Sequence, residues 1–131
     1  MFGFFILSFM NTAISEKLKE RSEGLCELCS AEPAAVAYAV SPKTNDAIEN
    51  EVGVCNTCVA EMENKNASQH WQCLAGSIWN TEKSVQALSY RILYSNKEQE
   101  WASEIMNSVE LTEEVVNWAI SAFQTKDIHK D

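Results

Sequence analysis

With 131 residues, 46% of them hydrophobic and 22% charged, the chain is long enough for one modest core or two small ones and too apolar to be disordered over most of its length. Ten basic side chains stand against nineteen acidic ones, a formal charge of −9. That balance disfavours nucleic acid as a partner, because affinity for a phosphate backbone comes largely from Lys and Arg releasing counterions.

The opening segment, MFGFFILSFM, is almost wholly apolar but only about half the length of a ~20-residue membrane span. It also lacks the basic start and small-residue cleavage site of an export signal, so no membrane span is predicted. Two readings stand for residues 1–9: an overextended start ahead of Met10, or a short hydrophobic tail that packs or touches a membrane. Asn11 or Thr12 then caps a predicted helix running to about Glu23, with Ile14 and Leu18 on one face and Gly24 at its end. Lys17, Lys19 and Arg21 interleave with Glu16, Glu20 and Glu23, the pattern of a solvated helix face. Residues 1–24 form the first division of the chain.

Residues 25–80 form the second. Cys26 and Cys29 in LCELCS, and Cys55 and Cys58 in VCNTCV, make two Cys-x-x-Cys knuckles. Two residues between paired cysteines place both sulfurs on one edge of a metal tetrahedron, and a second knuckle closes the opposite edge. One such pair is compatible with thioredoxin-like redox chemistry; two pairs without a preceding βαβ pattern favour metal over redox or simple packing. Zinc is the expected ion, one per chain, with iron as the alternative. A zinc held by four protein sulfurs keeps no open position for water or substrate, so its expected contribution is to folding.

Between the knuckles, AAVAYAV reads as a strand, Ser41-Pro42 to Asn45-Asp46 as a turn, and ENEVGVC as a returning strand. The segment VAEMENKN after Cys58 reads as helix. Knuckle, hairpin, knuckle and helix in that order predict a small zinc ribbon or treble-clef-like module. His70 and Cys73 in HWQCL stand three apart, near enough on a helical face to share a metal or form a thiolate–imidazole pair. The plainer alternative has His70 bonded to a backbone carbonyl or neighbouring side chain and Cys73 packed in the core.

Residues 81–131 form a helical region. Val85, Leu88 and Ile92 make one face of a helix from about Thr81 to Ser95, and Trp101, Ile105 and Val109 do the same for a second. Thr112 caps a third, with Glu113 and Glu114 in its first turn and Val116, Ile120 and Phe123 as its buried stripe. Trp71, Trp79, Trp101 and Trp118 are expected to serve packing rather than a ligand box. The fold class is therefore α+β, a four-cysteine zinc-ribbon or treble-clef-like hairpin module followed by a helical region.

The two knuckles, His70-Trp71-Gln72-Cys73-Leu74, the SIW that follows and the helix VQALSYRIL together resemble the PhnA family, named for an alkylphosphonate-utilisation operon and built on an N-terminal zinc ribbon. The likeness runs from about Leu25 to Phe123. It implies zinc at Cys26, Cys29, Cys55 and Cys58, and no defined reaction. Family members usually continue into a small SH3-like barrel, whereas this chain stops at KDIHKD, and the glycine expected after the first knuckle is Ser30 here. The expected function is a cytoplasmic, non-enzymatic zinc protein that docks onto another protein, since reduced Cys-x-x-Cys knuckles suit a reducing compartment. The alternatives are an enzyme of phosphonate or phosphoester metabolism using His70 and Cys73, and a zinc-ribbon nucleic-acid binder.

Overall fold

A computed structural model describes the backbone of residues 11–64 and 68–130, and the side chains of residues 13–64 and 68–123. The apolar segment at residues 1–9 and the start at Met10 lie outside the described residues.

The described chain begins with a strand, not a helix: β1 (Asn11–Ala13) pairs antiparallel with β2 (Val36–Ala39), setting Asn11 against Tyr38 and Ala13 against Val36. This corrects the expected cap at Asn11 or Thr12. The edge of β2 offers a ladder of backbone partners that a capping side chain cannot match, and Ser15 supplies a cap further on. Its Oγ accepts from the Leu18 N–H at 3.2 Å and starts α1 (Glu16–Ser22), which ends where Glu23 and Gly24 turn left-handed. Leu18 is wholly buried while Lys17 and Lys19 stay exposed. Arg21 departs from the expected solvated face and turns inward.

β2 pairs in turn with β3 (Glu51–Val54) in register Val36 to Val54, giving a three-stranded antiparallel sheet in the order β1-β2-β3. The turn between them contains the cis Ser41–Pro42 bond and a 3-10 turn at Ile48–Asn50, which takes the first residues of the expected returning strand. Every residue of β3 is buried, because α1 and the long helix of the second half both pack against it. The second knuckle opens α2 (Asn56–Glu61), which starts earlier and ends sooner than expected.

A 3-10 turn at His70–Cys73 runs into the short α3 (Leu74–Ser77), and then come α4 (Lys83–Ser95), α5 (Glu100–Ser108) and α6 (Glu113–Lys130). α4 is the centre of the molecule. Val85, Leu88 and Ile92 are buried on it as their spacing predicts, and it touches β3, α3, α5 and α6. One continuous apolar cluster joins Cys26, Cys55 and Cys58 through Val52, Leu74 and Leu88 to Val115 and Trp118, so the sulfur-bearing loops and the helices share a core. On α5, Ala102 and Ile105 are buried, Trp101 is half-buried, and Val109 lies past the helix end.

On α6, Thr112 caps as expected, its Oγ accepting from the Val115 N–H at 3.3 Å. The stripe is corrected: Val115, Trp118 and Ala119 are buried, while Val116, Ile120 and Phe123 are half-buried. Trp118 sets the rotation, because its indole N–H donates to the Val40 carbonyl at 3.0 Å and carries the ring into the core with it. Arg91 of α4 braces the same corner, donating to the carbonyls of Ser41, Trp118 and Ala119. Trp71 and Trp118 pack as expected, but Trp79 is 61% exposed. Among the described residues no helix is long and apolar enough to cross a membrane.

Candidate metal centre

The two knuckles meet at one point. The ligand sulfurs of Cys26, Cys29, Cys55 and Cys58 all lie within 4.8 Å of one another, and none is in a disulfide. Cys26 Sγ is 3.7 Å from Cys58 Sγ, and Cys29 Sγ is 3.7 Å from Cys55 Sγ. A tetrahedron with metal–sulfur bonds of about 2.3 Å has sulfur–sulfur edges of about 3.8 Å, so these two separations match opposite edges of one metal site. A disulfide would need about 2.05 Å.

Local sequence explains how each sulfur is aimed. In the first knuckle the backbone folds back so that Leu28 and Cys29 donate N–H groups to Cys26 Sγ at 3.4 and 3.5 Å, and Ala31 donates to Cys29 Sγ at 3.5 Å. Ser30 closes the turn with φ of 58°, its N–H donating to the Cys26 carbonyl at 3.0 Å. In the second, Cys55 caps α2, its sulfur accepting from the Cys58 N–H at 3.3 Å. Such N–H groups stabilise sulfur in its charged form.

Protons alone serve this cluster badly. The Cys26 thiol is drawn down to about 4 by its hydrogen bond with Cys58, whose own thiol the same bond pushes far up, and burial pushes the Cys55 thiol up to about 11. A single divalent cation would bind all four thiolates at once and offset half of their charge, so the donor set fits zinc.

The knuckles are held together by groups that sequence spacing does not point to. Glu27 lies between the first two cysteines, and its N–H donates to the Gly53 carbonyl at 2.7 Å while its Oε1 accepts from the Gly53 N–H at 2.8 Å. Arg21 grips the same carboxylate from α1 and also donates to the carbonyls of Ile48 and Glu51. The Glu51 carbonyl accepts from Ser84 of α4 as well, and its carboxylate takes the Asn45 amide. Arg21 and Glu27, like Asn45 and Glu51, are six positions apart, but the contacts from Arg21 to Ile48 and Glu51, from Glu27 to Gly53 and from Ser84 to Glu51 join residues far apart in the chain, and only the assembled sheet brings these within reach.

His70 and Cys73 go to different places. His70 Nε2 is 3.3 Å from Cys58 Sγ, and no hydrogen bond links it to Cys73 among the described residues. Cys73 is half-buried, and its thiol is pushed up to about 12, first by burial and then by the thiolates of Cys29 and Cys26. It lines a cleft of about 430 Å³ with Leu28, Cys29, Ser77 and the exposed Trp79. A thiol held protonated in this way is a poor nucleophile.

No family model, no curated protein and no solved structure matches this chain. The likeness to PhnA thus rests on the sequence alone, on the two knuckles, the His70 to Leu74 run, the SIW after it and the helix VQALSYRIL.

Proposed function

We propose that this chain is a PhnA-like zinc protein of the cytoplasm, in which one structural zinc ion fixes the ribbon against the helical half and the assembled body docks onto another protein. The observation that carries the metal part is the four-sulfur cluster with its two 3.7 Å opposite edges. Cys26, Cys29, Cys55 and Cys58 fill every position of a tetrahedral ion, which favours a folding role over catalysis. Because three of the sulfurs belong to the continuous core, metal binding and packing of the helices are coupled.

The docking part draws support from the surface beside the first knuckle. Leu25, next to Cys26, is 43% exposed, and Trp79 stands on the cleft shared with Leu28 and Cys29. Exposed aromatic and aliphatic anchors of this kind are frequent centres of protein interfaces. The charge of −9 favours a partner with a basic rim.

Metal analysis of protein purified under reducing conditions is expected to give one zinc per chain, with chelation abolishing the near-ultraviolet dichroism of the tryptophans. Metal-free protein that keeps that signal would overturn the structural role. For docking, a photo-reactive residue at position 79 is expected to trap one protein whose binding, rebuilt from purified components, is lost in Trp79→Ala. An unchanged affinity in that variant would remove this surface from the interface.

A further inference from the structure

Three of the four sulfurs in the cluster accept a backbone N–H: Cys26 from Leu28 and Cys29, Cys29 from Ala31, and Cys55 from Cys58. Cys58 Sγ accepts none among the described residues, yet Cys58 is wholly unexposed, so water does not reach it either. The polar group outside the four cysteines that meets it is the His70 ring, at 3.3 Å from Nε2.

We infer that His70 is the fifth functional residue of the metal centre, donating its Nε2–H to the Cys58 thiolate and setting how tightly that sulfur holds the ion. This rests on the zinc reading above. A metal-bound thiolate carries no proton, so the imidazole must be the donor, and the metal thereby fixes its tautomer. His70 is well held for the task. It opens the 3-10 turn His70–Cys73, and its ring lies edge-on to the buried Trp71 with centroids 4.7 Å apart.

A hydrogen bond to a thiolate spreads its charge, which matters where four such charges crowd one dication in a buried site. Without the donor, Cys58 keeps more charge and repels its neighbours. Loss of an outer partner of this sort typically weakens metal binding about 10–100-fold. His70 is thus a positioning residue, acting on the ion through Cys58.

The test measures zinc affinity by competition with a chelating dye, and the energy of the sulfur-to-metal charge-transfer band in the cobalt-substituted protein. It uses the whole chain and its His70→Phe and His70→Gln variants. His70→Phe keeps a ring against Trp71 but removes the donor, and is expected to lose about 10–100-fold in zinc affinity and to move the band to lower energy. His70→Gln, whose amide offers an N–H, is expected to recover part of the affinity and to move the band back. Equal zinc affinity and an unmoved band in His70→Phe would overturn the inference and leave the zinc reading intact. Failure of the unmodified chain to take up zinc would overturn both. Loss of affinity in His70→Phe with no recovery in His70→Gln and an unmoved band would show a packing role and overturn the donor assignment.

Discussion

Arg21 and Glu27 form a two-pronged ion pair, Nε to Oε2 at 2.9 Å and Nη2 to Oε1 at 2.7 Å, with side-chain exposures of 13% and 3%. It ties helix α1 to the loop between Cys26 and Cys29, and through Gly53 to the strand that leads into the second knuckle. The first pair of sulfurs is aimed by a group that has no sulfur chemistry of its own. A Cβ at position 53 would meet Ile14 Cδ1 at 3.3 Å and Ala34 Cβ at 3.4 Å, so the close approach of these two side chains to β3 favours glycine there.

Removing the cation while leaving the buried carboxylate strands a charge, which commonly costs about 3–5 kcal/mol. Arg21→Ala is therefore expected to lower the unfolding free energy of the zinc-bound protein by about 3 kcal/mol. Glu27→Gln, which leaves an amide oxygen for the Gly53 N–H, is expected to cost less. Denaturant titrations of both variants check the order, and an Arg21→Ala midpoint indistinguishable from that of the parent would refute the clamp.

Ser30 sits at φ 58° in the first knuckle, a left-handed turn where the PhnA likeness expects glycine. Its side chain is exposed, so little is lost with it. Ser30→Gly is expected to stabilise the protein by roughly 0.5–1 kcal/mol, the steric relief outweighing the added freedom of the unfolded chain. A thermal midpoint that falls on this substitution would contradict that balance.

Cys73 gives the molecule an alkaline weakness. Its thiol is pushed from the ordinary value of 9 up to about 12, chiefly by burial, so above pH 9 the unfolded chain sheds a proton that the native chain retains. Fewer protons on the unfolded state mean stability falls with rising pH, and this contribution is lost between about pH 9 and 12. Cys73→Ser, which has no titrating thiol, is expected to show a shallower decline between pH 8.5 and about 10.5 in denaturant midpoints of the zinc-bound protein. Identical slopes would mean Cys73 ionises as readily folded as unfolded. Slow alkylation of Cys73 at neutral pH is the companion expectation.

The four cysteines were legible because metal geometry constrains spacing within each knuckle so tightly that the sequence displays it directly. The two strands between them, the cap at Thr112 and the buried face of α4 were legible for a similar reason: the pattern within each strand, the cap and the helix face each depend on residues a few positions apart. β1 was not, because Asn11-Thr12-Ala13 has no strand pattern of its own and becomes a strand only where the edge of β2 receives it. The role of Arg21 was hidden in the same way, its charge looking like one more member of a mixed surface run until Glu27 and Glu51 arrived from the folded sheet. Helical spacing leaves His70 either a pairing with Cys73 or a bond to some other neighbour, and only the folded chain shows that this neighbour is Cys58.

The register of α6 offers a direct check on which force set it. Spacing alone permits Val116, Ile120 and Phe123 as the inner face, yet the helix is turned by one residue, about 100°, to bury Val115, Trp118 and Ala119. The indole bond to the Val40 carbonyl and the Lys43 ammonium 4.2 Å from the Trp118 ring centre both act on that face. Val115→Ala, which removes two methyl groups from a wholly buried site, is expected to cost about 2 kcal/mol, and Val116→Ala less than half of that. Trp118→Phe keeps an aromatic ring but removes the indole donor, leaving the Val40 carbonyl with the Lys43 N–H, and is expected to cost about 0.5–1.5 kcal/mol. If urea unfolding ranked Val116→Ala as the more damaging of the two valine changes, the helix would be rotated toward the periodic stripe, and the tryptophan would not be what orients it.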